Sequence, residues 1–518
     1  MTDTIDALHR VLARIPNEFP GPGGAVAVLR RGEVIARQTW GWADVEKRIP
    51  FTPATLFRVC SITKQFTCGT MLSAFPDPST LDGDVAAKFP LLAQAAPRAA
   101  DLANNQSGLR DYWATAMVCG ATVERPFGEA EAARLIGLTR SLHFQPGTRY
   151  SYCNQNFRIL GDVVASRTGQ DLDTLMRRHI FAPAGMATAR LVPDTETMPD
   201  GTIGYEGSVE TGFRAAVNRI NWTGDAGLAA SLDDMIAWEK HIDATRDDPD
   251  SLYGRLSVPV SFADGGEAGY GFGLARFQIC GRAATGHGGG LRGWTSFRCN
   301  IASERVSVVV LFNHMSDTRG VTQKLVEALL DHPASPQPSQ PATPWQGVYE
   351  EPGSGLVVRL ETTADHHVKL YYSGRRPEIL DPVDDTASGG TTKLRRSGDE
   401  LWMDRGTDNQ SSRLLPSSGE ILRDFAGVFH NDEYDARITC IANGEVLYGA
   451  FSGFLGEGMM HPLLPAGPDL WRMPMPRALD DAPPGDWTLK ILRNDTGTVT
   501  AIQAGCWLAR CIVFSREA

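Results

Sequence analysis

Apolar residues in the first part of the chain follow both strand and helix spacings. Residues 24–30 and 34–40 are apolar runs on either side of a polar turn, a pattern that predicts a β-hairpin. Residues 306–312 (VSVVVLF) form a continuous apolar run that predicts a buried strand. Residues 321–330 have the spacing of an amphipathic helix. Residues 1–331 are therefore predicted to form a domain of mixed helices and strands.

A proline-rich segment separates this domain from the rest of the chain. Residues 332–344 contain five prolines, at positions 333, 336, 338, 341 and 344. Proline fixes φ and lacks an amide donor, so the segment cannot pack as a helix. It is predicted to be an extended linker.

The chain beyond the linker has the pattern of an all-β protein. Short alternating runs are broken by Gly, Asn and Asp, and Asn443-Gly444 between two of them predicts a tight hairpin. A weak repeat relates WQGVY at 345–349 to FAGVF at 425–429, eighty residues later. We therefore predict two similar β modules, residues 345–418 and 419–518. Small antiparallel barrels are the predicted architecture, because closure removes exposed strand edges.

Length and charge narrow the class of protein. A chain of 518 residues is too long for a single hydrophobic core. Its net charge of −11 argues against nucleic-acid binding, which normally needs a basic patch. No apolar run approaches the roughly 18 residues of a membrane span, and the N-terminus lacks the charged and apolar regions of a secretory signal. We expect a cytoplasmic protein with no nucleic-acid or membrane partner.

Cysteine and histidine spacing gives no sign of a disulfide framework or a metal site. The nine cysteines are scattered and contain no C-x-x-C pair, which predicts buried free thiols in a reducing compartment. Cys60 and Cys153 adjoin the motifs described next and are expected to be packing residues. No metal-ligand spacing occurs, so we expect neither a metal nor a cofactor.

The sequence SITK at residues 61–64 is the first candidate for chemistry. It stands at the start of a predicted buried helix, where positions i and i+3 share a face. The Ser61 hydroxyl and the Lys64 amine would then point into one cleft. Serine is a weak nucleophile until a nearby base takes its proton, and a buried lysine with a lowered pKa can be or support that base.

Two further motifs follow in order. YCN at residues 152–154 comes after a Pro-Gly turn signal and before a helical pattern, and GHGGG at residues 286–290 follows a strand-like segment. The order S-x-x-K, Y-x-N, H-x-G resembles the penicillin-recognising serine hydrolases, the superfamily of class C β-lactamases and DD-peptidases. NQSGL at 105–109 and GLAASLDDM at 227–235 resemble two further segments of it. The resemblance covers about residues 5–331.

The resemblance implies a fold and a set of roles for the first domain. The sheet would be built from both ends of the domain, around a helical middle. Ser61 would form an acyl-enzyme, with either Lys64 or Tyr152 as its base. A phenol near two cations has a reason to ionise below its ordinary pKa. His287 replaces the lysine of many relatives, and its charge would then depend on pH near neutrality.

The resemblance also implies substrate contacts. Asn154 would hydrogen-bond the substrate amide, and the backbone N–H groups of Ser61 and Gly290 would form an oxyanion hole. Such donors contribute about 2.7–4 kcal/mol each in other enzymes. The three consecutive glycines permit a close approach of the backbone there.

The two C-terminal modules narrow the resemblance to the D-stereospecific aminopeptidases. In that family both modules are antiparallel barrels, and a loop of the last one reaches the catalytic cleft. The best match for such a loop is residues 472–484, which contain four prolines and are expected to be stiff and non-strand. Asp480 or Asp481 could pair there with a substrate ammonium. The resemblance also implies a homodimer.

The implied function is release of N-terminal D-amino acids, small ones such as D-alanine, from peptides, amides and esters. β-Lactams are possible inhibitors. Two alternatives stay open. One is a DD-carboxypeptidase or β-lactamase-like esterase, which usually has lysine in the third motif. The other, of a different class, is a non-catalytic penicillin-binding-like sensor, against which the intact motifs argue.

Overall fold

A computed structural model describes residues 2–331, 345–374, 377–480 and 485–517. The predicted linker, residues 332–344, lies outside the described residues. The α-helices are α1 (Thr2–Glu18), α2 (Thr63–Ala74), α3 (Asp82–Ala86), α4 (Ala99–Ala103), α5 (Tyr112–Val118), α6 (Glu129–Gly137), α7 (Asn154–Thr168), α8 (Leu172–Met176), α9 (Ala182–Ala184), α10 (Leu232–Ala244), α11 (Leu252–Leu256) and α12 (Thr318–Leu330). Short 3₁₀ turns occur at Cys60–Ile62, Pro78–Leu81 and Ala302–Glu304, and a π-helical turn occurs at Arg177–Phe181.

Fifteen strands belong to the first domain. They are β1 (Gly23–Arg30), β2 (Glu33–Asp44), β3 (Ile49–Pro50), β4 (Phe57–Arg58), β5 (Arg190–Leu191), β6 (Tyr205–Ser208), β7 (Gly212–Ala215), β8 (Leu228–Ala230), β9 (Val260–Ser261), β10 (Glu267–Ala268), β11 (Tyr270–Gly271), β12 (Leu274–Ile279), β13 (Arg282–Leu291), β14 (Trp294–Ile301) and β15 (Val306–Phe312). The main sheet has eight strands in the order β11-β12-β13-β14-β15-β1-β2-β3.

This sheet joins the two ends of the first domain. β1 pairs antiparallel with β15, with Val26 opposite Val310, and the predicted hairpin, buried strand and terminal helix are all present. Successive side chains of a strand face opposite sides. Val26 and Val28 therefore pack in the core under α1 and α12, while Ala25 and Ala27 belong to the core on the helical side.

The C-terminal part contains two β modules. Their strands are β16 (Gly347–Glu351), β17 (Leu356–Thr362), β18 (Val368–Tyr372), β19 (Glu378–Val383), β20 (Thr386–Gly389), β21 (Thr392–Ser397), β22 (Glu400–Arg405) and β23 (Gln410–Pro416), then β24 (Gly427–Asn431), β25 (Ala436–Asn443), β26 (Val446–Gly453), β27 (Gly456–Glu457), β28 (His461–Pro462), β29 (Leu464–Gly467), β30 (Leu470–Met473), β31 (Trp487–Arg493), β32 (Val499–Cys506) and β33 (Ala509–Arg516). β16–β23 form a closed barrel, as predicted, whereas β24–β33 form a ten-stranded curled half-barrel. The predicted pair of antiparallel β modules is confirmed, and the second curls without closing among the described strands.

The sequence repeat marks the same position in both modules. Gly347 begins β16 and Gly427 begins β24, with φ of 145° and 150° that favour glycine. The preceding aromatic residues, Trp345 and Phe425, are 1% and 0% exposed in the cores of their modules. The sequence repeat therefore reflects a similar local structure at the first strand of each module. The strands of the two sheets lie inside the predicted ranges 345–418 and 419–518.

Candidate active site

The candidate nucleophile lies at a sharp turn between β4 and α2. Cys60 has a φ of 53°, an uncommon value for a residue with a side chain. This turn leaves Ser61 partly exposed at the start of the helix, while Lys64 is fully buried one turn later. Lys64 Nζ lies 3.0 Å from Ser61 Oγ, so the predicted shared face is present.

The Lys64 amine has three polar neighbours. It lies 2.9 Å from Asn154 Oδ1 and 2.7 Å from the backbone oxygen of Asp225, besides the Ser61 hydroxyl. Burial lowers the pKa of Lys64 to about 8, and the charges of Asp225, Asp111 and Asp480 act in the opposite direction. A neutral amine has two N–H donors and one lone pair. It can donate to Asn154 and Asp225 and still accept a proton from Ser61.

Tyr152 also contacts the nucleophile. Its side chain hydrogen-bonds Ser61, and Lys64 Nζ lies 5.0 Å from the centre of its ring. Loss of hydration raises the pKa of Tyr152 well above its ordinary value of 10, and Asp111 and Asp480 act in the same direction. The expectation that this phenol ionises easily is therefore wrong in direction, because burial outweighs the nearby cations.

His287 lies on β13 and is buried. Its Nδ1 is close to the backbone oxygen of Gly288, which can only accept, so Nδ1 carries the proton. Nε2 then accepts a hydrogen bond from the hydroxyl of Tyr270, at 3.0 Å. Burial, with the charge of Lys64, lowers the pKa of His287 to about 3. The expected change of charge near neutral pH is therefore wrong, and the imidazole is neutral at pH 7.

The glycines after His287 bring β13 against the nucleophile turn. A Cβ at Gly289 would lie 2.3 Å from the backbone oxygen of Val59, where no side chain fits. Gly290 follows at a partly exposed position and pairs with Thr295 of β14. The structure thus brings the glycines of β13 next to the nucleophile turn, and the oxyanion-hole role of Gly290 stays a prediction.

Asn154 is held by a carboxylate that the sequence did not identify. Asp111 Oδ2 accepts hydrogen bonds from the backbone N–H and the side-chain amide of Asn154, at 2.5 and 3.0 Å. Asp111 precedes α5 and also accepts from the N–H of Trp113, as an ordinary helix cap does. Sequence reasoning therefore had only a capping signal to find it. Burial raises the pKa of Asp111 to about 6.

The second β module reaches this site at two places. The charge of Asp480 raises the pKa of both Lys64 and Tyr152. Asp481 lies outside the described residues. Trp507, in the turn between β32 and β33, has its ring centre 6.5 Å from that of Tyr152. The start of the predicted loop, Arg472–Met473, belongs to β30 rather than to the loop.

Other predicted features can be placed briefly. All nine cysteines are free, and eight of them are buried. Across the described parts of the chain, no group of three or more His, Cys, Asp or Glu side chains could hold a metal ion. No helix within the described ranges has the length and apolarity to cross a membrane.

The fold and the Ser-Lys-Tyr site define a serine hydrolase domain of the β-lactamase class. The family model described as Beta-lactamase matches residues 12–331, and the one described as D-aminopeptidase, domain B, matches residues 338–515. The chain is 52% identical to a D-aminopeptidase of Gluconobacter oxydans (strain 621H), with 100% of both chains covered. It is 44% identical to one of Brucella ovis, with 99% of both covered. The chain belongs to the D-aminopeptidase family.

Solved structures share the fold at lower sequence identity. An octameric penicillin-binding protein homologue from Pyrococcus abyssi matches 79% of this chain and 99% of its own, with a TM-score of 0.53 and 20% identity. D-amino acid amidase from Ochrobactrum anthropi SV3, complexed with D-phenylalanine, matches 64% of this chain and 99% of its own, with a TM-score of 0.53 and 20% identity.

Proposed function

We propose that this protein is a D-stereospecific serine aminopeptidase that releases N-terminal D-amino acids, small ones such as D-alanine, from peptides, amides and esters. The observation that carries the proposal is the Lys64 amine, which is buried, 3.0 Å from Ser61 Oγ and lowered in pKa to about 8. The relatives named D-aminopeptidase, which match the whole chain, support the choice of substrate class.

Lys64 is the base of the proposed acylation step. As Ser61 Oγ attacks the substrate carbonyl, its proton moves to the lone pair of Lys64, while the two N–H groups stay on Asn154 and Asp225. Tyr152 keeps its proton because its pKa is raised, so it can donate to the departing amine and be reprotonated from Lys64. The carbonyl oxygen becomes an oxyanion between the backbone N–H groups of Ser61 and Gly290.

The acyl-enzyme then reacts with water. The same groups act in reverse: a water molecule loses its proton to Lys64, the oxyanion forms again, and the ester bond to Ser61 breaks with the proton returning to Oγ. The products are the free D-amino acid and the regenerated serine. His287, neutral and hydrogen-bonded to Tyr270, keeps a second cation out of the cleft.

The carboxylate of Asp480 or Asp481, in the loop that follows β30, is proposed to bind the free amine of the substrate. Asp480 acts electrostatically on Lys64 and Tyr152, and Asp481 is its neighbour. An ammonium group would pair with this charge, whereas an N-acetyl group would leave it unsatisfied at a cost of about 1–3 kcal/mol. That cost corresponds to roughly 5- to 150-fold discrimination.

A hydrolysis panel tests the proposal. It compares D-Ala, L-Ala and N-acetyl-D-Ala p-nitroanilides with a β-lactam and a diacyl-D-Ala-D-Ala peptide. We expect D-Ala-p-nitroanilide to be the best substrate, and Ser61→Ala to lower its kcat/KM by about 10⁴–10⁶. Preference for the diacyl peptide or the β-lactam would favour the carboxypeptidase or esterase alternative instead.

Three outcomes would each contradict one part of the proposal: the nucleophile, the enzyme assignment or the role of the loop. A Ser61→Ala variant that kept more than about a tenth of the wild-type rate would exclude Ser61 as nucleophile. No turnover of any substrate, with binding of β-lactams, would favour a sensor. An unchanged ratio of D-Ala to N-acetyl-D-Ala hydrolysis in the Asp480→Ala, Asp481→Ala double variant would place amine recognition within residues 1–331.

Partners and location also belong to the proposal. We expect a homodimer from the family resemblance, with β-lactams as possible inhibitors, and a cytoplasmic location from the scattered cysteines, whose spacing suits a reducing compartment. Light scattering on the purified protein measures its mass in solution, and fractionation of the source cells measures its location. Inhibition of D-Ala-p-nitroanilide hydrolysis by a penicillin tests the last expectation.

A further inference from the structure

An arginine of the second β module forms ion pairs with the first domain beside the cleft. Arg477 lies in the segment 474–480, called the C-terminal loop here, which follows β30. Its Nη2 lies 3.2 Å from Glu124 Oε1 and 3.1 Å from Glu206 Oε2. The partners are more than 270 residues away in sequence and belong to the catalytic domain.

The two glutamates are themselves fixed by the catalytic domain. Glu206 lies on β6, and Glu124 stands between α5 and α6 with a φ of 70°, which is unusual for a residue with a side chain. Arg292, directly after β13, is 3% exposed and lies with its Nη1 3.6 Å from the same Glu124 oxygen. Arg477 therefore joins a network whose other members are set by strands and turns of the catalytic domain.

The chain between Arg477 and Asp480 has little freedom. Ala478 and Leu479 are 2% and 1% exposed, so both side chains are packed. Asp480 follows directly, and its charge is felt by Arg292 as well as by Lys64. An ion pair at one end and two buried residues next to it therefore restrain the backbone that leads to Asp480.

We propose that Arg477 is a positioning residue for amine recognition: by binding Glu124 and Glu206 it holds the C-terminal loop so that Asp480 meets the substrate ammonium. This inference rests on the proposed aminopeptidase function. Arg477 does not touch the reacting atoms, and Ser61, Lys64 and Tyr152 keep their contacts without it.

Two explanations predict opposite results when Arg477 is removed. In one, Arg477 acts only through its charge; in the other, it positions Asp480. Loss of a cation from the cleft rim makes the local potential more negative, which favours binding of an ammonium group. Loss of the anchor moves Asp480, which weakens recognition of that group. A displacement of about 1 Å in a positioning contact can cost on the order of 100-fold in rate. The direction of the change therefore separates the two explanations.

The experiment measures kcat/KM for D-Ala-p-nitroanilide and for N-acetyl-D-Ala-p-nitroanilide in the full-length protein. We expect Arg477→Ala to lower the ratio of the two by about 10- to 100-fold, mainly through the free-amine substrate. Arg477→Lys should lie between wild type and Ala. The charge exchange Arg477→Glu with Glu206→Arg should recover part of the ratio lost in Arg477→Glu alone.

Arg437→Ala is the matched control. Arg437 pairs with Glu517 at 2.8 Å within its own module and is 49% exposed, so this variant loses a comparable surface ion pair away from the cleft. We expect it to keep the wild-type ratio. Ion pairs as exposed as this one contribute little to stability, so the melting temperature of Arg437→Ala should stay near that of wild type. The melting temperature of each Arg477 variant is measured to show that it is folded.

Three results overturn the inference. They are an unchanged ratio in Arg477→Ala, a raised ratio, and an equal loss in the Arg437→Ala control. A wild-type enzyme with no preference for the free amine would instead contradict the proposed function itself. If Arg477→Ala did not fold, the Lys variant and the charge exchange would decide, and no recovery in the exchange would count against positioning.

Discussion

The rate of Ser61 acylation should follow the titration of one group, the Lys64 amine, near pH 8. Lys64 must be neutral to accept the serine proton, and burial lowers its pKa from 10.5 to about 8. That change corresponds to about 3 kcal/mol in favour of the neutral amine. At a pKa of about 8, about 1% of the enzyme is competent at pH 6, roughly a tenth at pH 7 and nearly all at pH 10.

The substrate of this assay should carry no group that gains or loses a proton in the pH range tested. p-Nitrophenyl acetate is uncharged, and the burst of p-nitrophenol reports acylation of the serine directly. We expect the acylation rate constant to rise about tenfold per pH unit below the pKa and to level off above it. Ser61→Ala provides the background of spontaneous hydrolysis at each pH.

Removing the negative charge of Asp480 should lower the pH at which Lys64 titrates. Asp480 raises the pKa of Lys64, so Asp480→Asn should lower that pKa and shift the rising limb to lower pH. The variant would then be faster than wild type on this neutral ester near pH 7, although slower on a free-amine substrate.

Three results would refute the reasoning. One is a rate that changes less than about threefold between pH 6 and 9, since a base with the proposed pKa requires a larger change. Another is a rise of the acylation rate constant centred near pH 6, which would assign the titration to Asp111, whose pKa is raised to about 6. The third is an Asp480→Asn variant whose acylation rate rises at the same pH as in wild type, or at a higher pH.

The remaining predictions concern His287 and a buried ion pair. His287→Lys should lower kcat/KM for D-Ala-p-nitroanilide more than for p-nitrophenyl acetate, because a fixed cation repels the substrate ammonium; an equal or higher value for the amine substrate would contradict this. Glu239→Ala should lower the free energy of unfolding by about 3–5 kcal/mol, because Arg298 would be left buried and unpaired. The pair is 0% exposed on both sides, whereas Arg282–Glu304 is 49% and 23% exposed. Glu304→Ala should therefore cost less than about 1 kcal/mol in the same denaturation experiment, and equal losses would contradict the argument.

Local patterns explain which parts could be predicted from the sequence. Ser61 and Lys64 are three residues apart, so helical geometry alone brings them together. The hairpin predicted from Asn443-Gly444 is present, although its turn lies one residue later, at Gly444-Glu445, because Asn443 is the last residue of β25 and pairs with Val446. The sequence could not separate the closed barrel from the half-barrel. The first strand pairs with the last in both modules, but among the described strands the second sheet is open between β27 and β29, and no local pattern encodes that gap.

The rest of the site depends on contacts that no pattern encodes. Tyr270 meets His287 because β11 and β13 lie in one sheet, and Trp507 approaches Tyr152 from a turn in another module. The raised pKa of Tyr152 is opposite to the expected direction, and the lowered pKa of His287 removes the change of charge that was expected near neutral pH. Each follows from burial, which appears only when the chain is folded.

Hydrogen bonds also connect the second β module to Lys64, the proposed base. The backbone oxygen of Leu508 accepts a hydrogen bond from the N–H of Asp111, at 3.0 Å. Asp111 holds Asn154, Asn154 Oδ1 lies 2.9 Å from Lys64 Nζ, and Lys64 reaches Ser61. Four consecutive hydrogen bonds thus run from this module to the nucleophile. Because the members of a buried hydrogen-bond network act together, we expect the orientation of the proposed base to depend on how the module docks. Under the proposed function, substrate choice and acyl chemistry would therefore depend on the same interface between this module and the catalytic domain.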